Sequence, residues 1–272
     1  MFQLPSRFRS AFTAVLGLIL AFGLIGCTEG AEPPTAEPAR IAQLPQGDDP
    51  VDLDPADFTT EIDNPYFPLV PGTRMIYREV DEKGNRVQVV VIVTTETKTI
   101  ANGITARVVR DTVTENGEIV EDTFDWYAQD SEGNVWYMGE DTAEFENGKI
   151  STKRGSFEAG VDGALPGIIM PADPQPGLAF RQEYYKGEAE DNGEVLSLEE
   201  IADVPFGHFE DLLMTKDTIT IEPDVLEYKL YAKGLGLVLA LGISGGGGRE
   251  ELVKKDTVGP TAGTGPLGTP NG

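Results

Sequence analysis

Apolar residues through the middle of this chain recur with period two, and Asn-Gly pairs punctuate the runs. Val87, Val89, Val91 and Val93 alternate with Gln88, Val90, Ile92 and Thr94. Phe124, Trp126 and Ala128 alternate with Asp125 and Tyr127, and Trp136 and Met138 alternate with Val135 and Tyr137. A helix would repeat its apolar positions every three or four residues. Alternation over β-branched and aromatic residues is instead the pattern of half-buried strands. Asn102-Gly103, Asn116-Gly117, Asn147-Gly148 and Asn192-Gly193 recur between the runs, with Lys83-Gly84-Asn85 and Glu132-Gly133-Asn134 as further turn signals. Asn-Gly accepts the positive φ angles of a type I′ turn, which joins two antiparallel neighbours tightly. Successive hairpins make a meander. Strands are expected near 72–80, 86–99, 104–114, 118–129, 134–139, 149–157, 179–187, 194–202, 210–221, 225–232, 235–242 and 249–255. No amphipathic helix of three turns stands out. So many strands curl or close rather than lie flat. The expected fold is all-β, an antiparallel meander forming a strongly curved sheet or barrel with few or no long helices.

The first residues say where such a domain is held. A basic start (Arg7, Arg9) precedes an apolar run from Ala11 to Leu24, and the only cysteine, Cys27, follows Leu24-Ile25-Gly26. This is the layout of a secretory signal peptide. The apolar run is shorter than the roughly 20 residues that span a bilayer. Leu24-Ile25-Gly26-Cys27 resembles a bacterial lipobox, which implies cleavage before Cys27 and acylation of its thiol, by palmitate or a similar chain. Two acyl chains anchor a protein stably without spanning the membrane. The expected address is the cell envelope, lipid-anchored on the periplasmic or extracellular side, with the bilayer as partner through Cys27.

The expected organisation is a signal peptide (1–26), a disordered acidic and Pro-rich tether (27–57), one antiparallel β domain (58–257) and a disordered Gly/Pro/Thr-rich tail (258–272). Pro33, Pro34, Pro38 and Pro45, then Asp48, Asp49, Asp52, Asp54 and Asp57, offer little apolar surface to bury. The formal charge is −25, and removing residues 1–26, which carry two arginines and no acid, makes it more negative still. Such a chain repels nucleic acid and anionic headgroups, so no nucleic-acid partner is expected. With Cys27 acylated, no thiol remains for a disulfide, zinc or cysteine catalysis.

Motifs that look chemical weigh lightly. Gly242-Ile243-Ser244-Gly245-Gly246 matches G-x-S-x-G, but that elbow needs a strand-to-helix turn and a later histidine, whereas His208 comes earlier. A lone histidine cannot build a multi-histidine metal site. Asp130-Ser131-Glu132-Gly133-Asn134 lacks the glycine at position six and the glutamate at position twelve of a calcium loop, and reads as a hairpin turn. Glu121, Asp122 and Asp125 near Trp126 have the composition of a sugar site, but acids on a solvated sheet face look the same. No catalytic residue, metal ligand or cofactor is assigned.

Asp63-Asn64-Pro65-Tyr66-Phe67-Pro68-Leu69-Val70-Pro71-Gly72-Thr73 resembles the opening of an uncharacterised family of bacterial secreted proteins and lipoproteins. Asp122 to Asp130, Gly133 to Tyr137 and Ala164 to Pro171 are similar to the same family. The resemblance implies an envelope protein and carries no functional residues with it. More loosely, Phe209 to Thr215 and Tyr231 to Val238 resemble late strands of outer-membrane lipoprotein carriers, whose half-barrels curl around a helix or lipid.

One stretch is too apolar for an ordinary loop: Gly160 to Gly177 carries Leu165, Ile168, Ile169 and Met170 among prolines and glycines. It is read as a lid against one end of the sheet, either part of the core or a mobile flap over a cavity. The leading expectation is a non-enzymatic module that binds an apolar or amphiphilic ligand inside the curved sheet. Phe124, Trp126, Trp136, Met138, Tyr184, Ile168, Ile169 and Met170 are the candidate cavity residues. The alternatives are a structural or partner-binding lipoprotein without a small ligand and, behind it, a carbohydrate-active hydrolase.

Overall fold

The computed structural model describes residues 44–80, 84–245 and 248–271. The signal peptide, Cys27, the first part of the tether and part of the Lys83-Gly84-Asn85 turn lie outside the described residues. The strands are β1 (Phe58–Thr59), β2 (Thr73–Val80), β3 (Arg86–Thr99), β4 (Thr105–Glu115), β5 (Glu118–Asp130), β6 (Val135–Glu146), β7 (Lys149–Thr152) and β8 (Phe157–Glu158), followed by β9 (Leu165–Met170), β10 (Ala179–Arg181), β11 (Glu183–Tyr184), β12 (Asp191–Val204), β13 (Gly207–Ile219), β14 (Glu222–Ala232), β15 (Gly236–Ser244) and β16 (Arg249–Thr257). A single 3-10 turn, Pro55–Asp57, is the one helical element among the described residues. The all-β expectation holds.

All strand pairings are antiparallel, and the order is β10-β12-β13-β14-β15-β16-β2-β3-β4-β5-β6-β9-β11. Both ends of that path are one piece of chain. β10 pairs with β12, β11 pairs with β9, and only Gln182 lies between them. Residues 179–184 thus close the sheet into a barrel, with the seam in the middle of the sequence. The first and last long strands meet elsewhere, where Thr73 faces Thr257 and Arg78 faces Glu251.

Two of the Asn-Gly turns form as the dipeptide suggests, with positive φ at Asn116 and Gly117 and at Asn147 and Gly148. Asn192-Gly193 does not: it lies inside β12, opposite Phe180 and Arg181. There the glycine makes room, since a Cβ at Gly193 would come within 2.5 Å of the Phe180 ring. The lid expected over 160–177 is also corrected. Its apolar core is strand β9, in register with β6 through Met170 and Val135 and through Gly167 and Tyr137. A Cβ on Gly167 would collide with the backbone carbonyls of Arg181 and Gln182, so glycine is what lets the seam strand lie against β9.

The described parts of the expected tether and tail are ordered against the barrel. Leu44, Val51, Leu53 and Phe58 pack on an apolar cluster built from Ile104, Trp126, Trp136, Met138 and Ile168. Pro45 O accepts from Arg181 N at 2.7 Å, and the oxygens of Gly47 and Asp49 accept from Arg181 Nη1 at 2.6 and 2.8 Å. At the other terminus, Arg110 and Asp122 form a fully buried bidentate pair at 2.9 and 2.5 Å. A buried pair is tolerable only when its remaining donors and acceptors are satisfied. The tail does this: Gly265 O, Pro266 O and Thr269 O accept from the guanidinium, and Gly268 N donates to Asp122 Oδ2 at 2.6 Å. Composition read as disorder misses this because the binding groups are backbone atoms.

The β12–β13 hairpin bends back along the sheet. Phe206 N donates to Leu252 O at 3.1 Å and Arg249 Nη2 donates to Asp203 O at 2.9 Å. Ala202, Val204 and Leu212 share an apolar cluster with Leu230 and Leu239.

Candidate functional site

Register fixes which side chains face the barrel interior. Val91 faces Asp111, Val109 faces Asp125, and Lys229 faces Thr215 and Ala240. Directly paired residues share a sheet face, and alternate residues along a strand return to it. Val87 to Val93 at odd positions, Val109, Asp111, Val113, Asp125, Tyr127 and Tyr137 therefore line one surface. Its apolar members, with Met75, Tyr77 and Tyr231, belong to the larger apolar cluster.

Aromatic rings run through this interior. Phe67 meets Tyr127 edge-on at 5.4 Å, Tyr127 stacks on Tyr137 at 5.0 Å, and Tyr137 meets Phe157 edge-on at 5.5 Å. A narrow cleft, with room for only about 20 Å³, lies at one end of the ladder. Phe67, Leu69, Leu235 and Leu237 line it beside Met75, Tyr77 and Tyr127, with Asp111 and Asp125 as its acids.

The interior is also strongly acidic. Asp111, Asp125, Glu140, Glu183, Asp191, Asp217, Glu227 and Glu250 are all buried. Lys229 is the buried lysine among them, held between Asp217 Oδ2 at 2.9 Å and Glu227 Oε2 at 3.0 Å. Burial disfavours its charge, but the two carboxylates outweigh that and hold its pKa well above the usual lysine value. Away from Lys229 the acids are crowded together. Tyr137 Oη lies 2.6 Å from Asp125 Oδ1 and 2.7 Å from Glu140 Oε2. One phenolic proton cannot serve both contacts, so one of them is made by a carboxylic acid that donates to the phenol oxygen. Burial first, and the Asp125 charge second, push Glu140 up to about 8. Glu140 is therefore the protonated member at neutral pH.

The same causes act nearby. Asp111 is pushed well up by burial and by the Asp125 charge. Glu183 is raised by burial and then by the charge and hydrogen bond of Asp191, a carboxyl pair that shares a proton. Glu250 is raised by burial and by Asp111.

The sequence candidates are distributed differently. Trp126, Trp136, Met138 and Ile168 form the second cluster with Phe124 against it, under the N-terminal segment. Ile169 and Met170 join the cluster of the interior, and Tyr184 is half-buried on β11. None of the eight lines the cleft. Asp122 is locked to Arg110, whose guanidinium sits 5.4 Å over the Phe124 ring, while Asp125 alternates to the interior. The acids and Trp126 thus do not form a common groove.

Ser244 ends β15 and donates to Asp224 O at 2.7 Å. His208 sits exposed at the β12–β13 turn, where its ring nitrogens face Asp203 at 2.8 Å and Glu210 at 3.6 Å, while the Ser244 hydroxyl is turned to Asp224 O. Asp130 is a turn-former: its carboxylate accepts from the backbone of Glu132 and Asn134 and from Trp136 Nε1.

No protein-family model matches the chain, and no curated protein matches it. Among solved structures, it is similar to a protein from Bacteroides fragilis described as exported and of YmcC-like fold. The two are 17% identical over 71% of this chain and 99% of that one, with a TM-score of 0.43. It is also similar to a protein from Parabacteroides distasonis described as a lipoprotein, 13% identical over 70% of this chain and 98% of that one, with a TM-score of 0.35.

Proposed function

We propose that this protein is a non-enzymatic, lipid-anchored envelope module that binds an amphiphilic ligand in the barrel interior. The observation that carries the reading is the cleft between Phe67–Leu69 and Leu235–Leu237, apolar at its rim and walled by Tyr77, Tyr127, Asp111 and Asp125. A concave site with apolar walls and a few converging polar groups is what small-molecule recognition needs. An apolar body would lie along the rim, and a small polar end would enter toward the acids. The anchor is read from Leu24-Ile25-Gly26-Cys27.

The test is native mass spectrometry of the purified protein, with solvent extraction of whatever co-purifies. A near-stoichiometric apolar adduct supports the reading. An apo mass with no uptake from an envelope lipid extract overturns it.

A second reading, docking of a protein partner, is favoured by the β12–β13 hairpin end. Ile201 and Phe206 are exposed there, and the Phe206 ring stacks on Phe209 at 6.4 Å. Cross-linking at this hairpin that recovers one specific envelope protein, lost in Phe206→Ser, supports it. Unchanged recovery in that variant removes it.

A further inference from the structure

The amphiphile reading leaves the chemistry of the polar end open, and the cleft itself narrows it. Asp111 is only 8% exposed, lines the cleft, and its Oδ1 has no hydrogen-bond partner. It faces Val91 across the β3–β4 ladder and sits diagonally from Asp125, the other acid of the cleft. The basic groups nearby are committed elsewhere. Arg110, the next residue, points to the opposite sheet face and is held by Asp122 and the tail. Lys229 is held by Asp217 and Glu227. A deeper acid, Glu140, repeats the situation: Tyr137 occupies its Oε2, and its buried Oε1 has no partner.

A buried acceptor without a partner costs free energy, and a buried carboxylate without a cation costs more. Whatever enters this cleft gains most by bringing hydrogen-bond donors and positive charge together. An anionic headgroup would bring further acceptors to an acceptor that already lacks a donor. An inorganic metal ion finds no group of three or more ligating side chains among the described residues. An ammonium supplies donors and charge, and it also suits the electron-rich faces of Tyr77 and Tyr127, which line the same space.

We infer that the ligand of this cleft is a cationic amphiphile, an organic amine whose ammonium group docks on Asp111 Oδ1 beside Asp125 while its apolar body lies along Phe67, Leu69, Leu235 and Leu237. This rests on the amphiphile reading and specifies its polar end.

The experiment is calorimetric titration of the purified protein with three probes of one chain length: decylammonium, decanol and decanoate. A charge-assisted hydrogen bond predicts decylammonium binding about tenfold or more tighter than decanol, with decanoate weakest. Asp111→Asn removes the carboxyl that the ammonium would hold ionised and keeps the shape. It should weaken decylammonium about tenfold and leave decanol unchanged. Asp125→Asn gives the same readout from the second cleft acid if the first variant does not fold. If decanol or decanoate binds at least as tightly as decylammonium, or if the variants bind decylammonium like the parent, the cationic assignment falls while amphiphile binding stands. If none of the three binds, both fall.

Discussion

Glu140→Gln tests the acidic interior most directly. Folding takes this carboxyl from an ordinary value of 4.5 to about 8, through burial and the charge of Asp125. Its folded-state pKa lies above the unfolded one, so folding favours the protonated form. That contribution is complete below the unfolded value and is lost as pH rises through the folded one. Between the two, the folded chain holds one more proton than the unfolded chain, and stability falls by about 1.4 kcal/mol per pH unit. Over the full interval the loss is about 5 kcal/mol, comparable to the whole stability of a marginal domain, roughly 5–15 kcal/mol. Glutamine keeps the size and can donate to or accept from Tyr137, but it cannot ionise. Urea unfolding at pH 5, 7 and 9 provides the assay. The parent should lose stability steadily across the series. The variant should match it at pH 5 and exceed it by several kcal/mol at pH 9. Raised pKa values at Asp111, Glu183 and Glu250 steepen both curves, but the difference between them belongs to position 140 and the neighbours it relieves. Parallel curves for parent and variant would refute the protonated assignment.

Two further outcomes concern the ordered ends and the seam. Ending the chain at Val258 removes the four tail hydrogen bonds to the buried Arg110–Asp122 pair and should cost about 3 kcal/mol in urea unfolding; a change under about 0.5 kcal/mol would mean the tail is not a structural part. Gly167→Ala drives a methyl into the Arg181 and Gln182 carbonyls and should cost about 2 kcal/mol or more, with faster hydrogen exchange at residues 179–184 as the local signature; an unchanged exchange pattern there would count against the tight seam.

The meander was legible because alternation and Asn-Gly turns are local. Every strand expected from 72 to 255 has a counterpart, although residues 149–157 and 179–187 each divide into two short strands. β9 was hidden because Pro166, Gly167 and Pro171 read as loop. That reading breaks down once Gly167 is needed for close approach rather than for a turn. The site was less legible than the fold. Period two says that Trp126 and Asp125 face opposite ways, but not which way is in. The usual rule puts the tryptophan inside. Here Leu44 to Phe58 cover the face bearing Trp126 and Trp136, so the apolar stripe is buried outside the barrel and the acids turn inward. No local pattern distinguishes an inward acid from a solvated one. The dense alternation of acids on β4 to β6 was visible, but only the closure of the sheet gives it meaning.

The pairing of β2 with β16 sets when the barrel can be finished. From β2 to β9 each ladder joins strands close in sequence, so this half can assemble as an open sheet while the rest of the chain is still being made. Its β2 edge then waits for residues 251–257, which are made well after it. Until they arrive, Asp111 and Glu140 face water and ionise as ordinary carboxylates. Their desolvation is deferred to closure, so late assembly steps should take up protons and run faster in mild acid. A nascent chain that pauses before β16 keeps an unpaired β2 edge, which is available to other chains as well as to its own last strand.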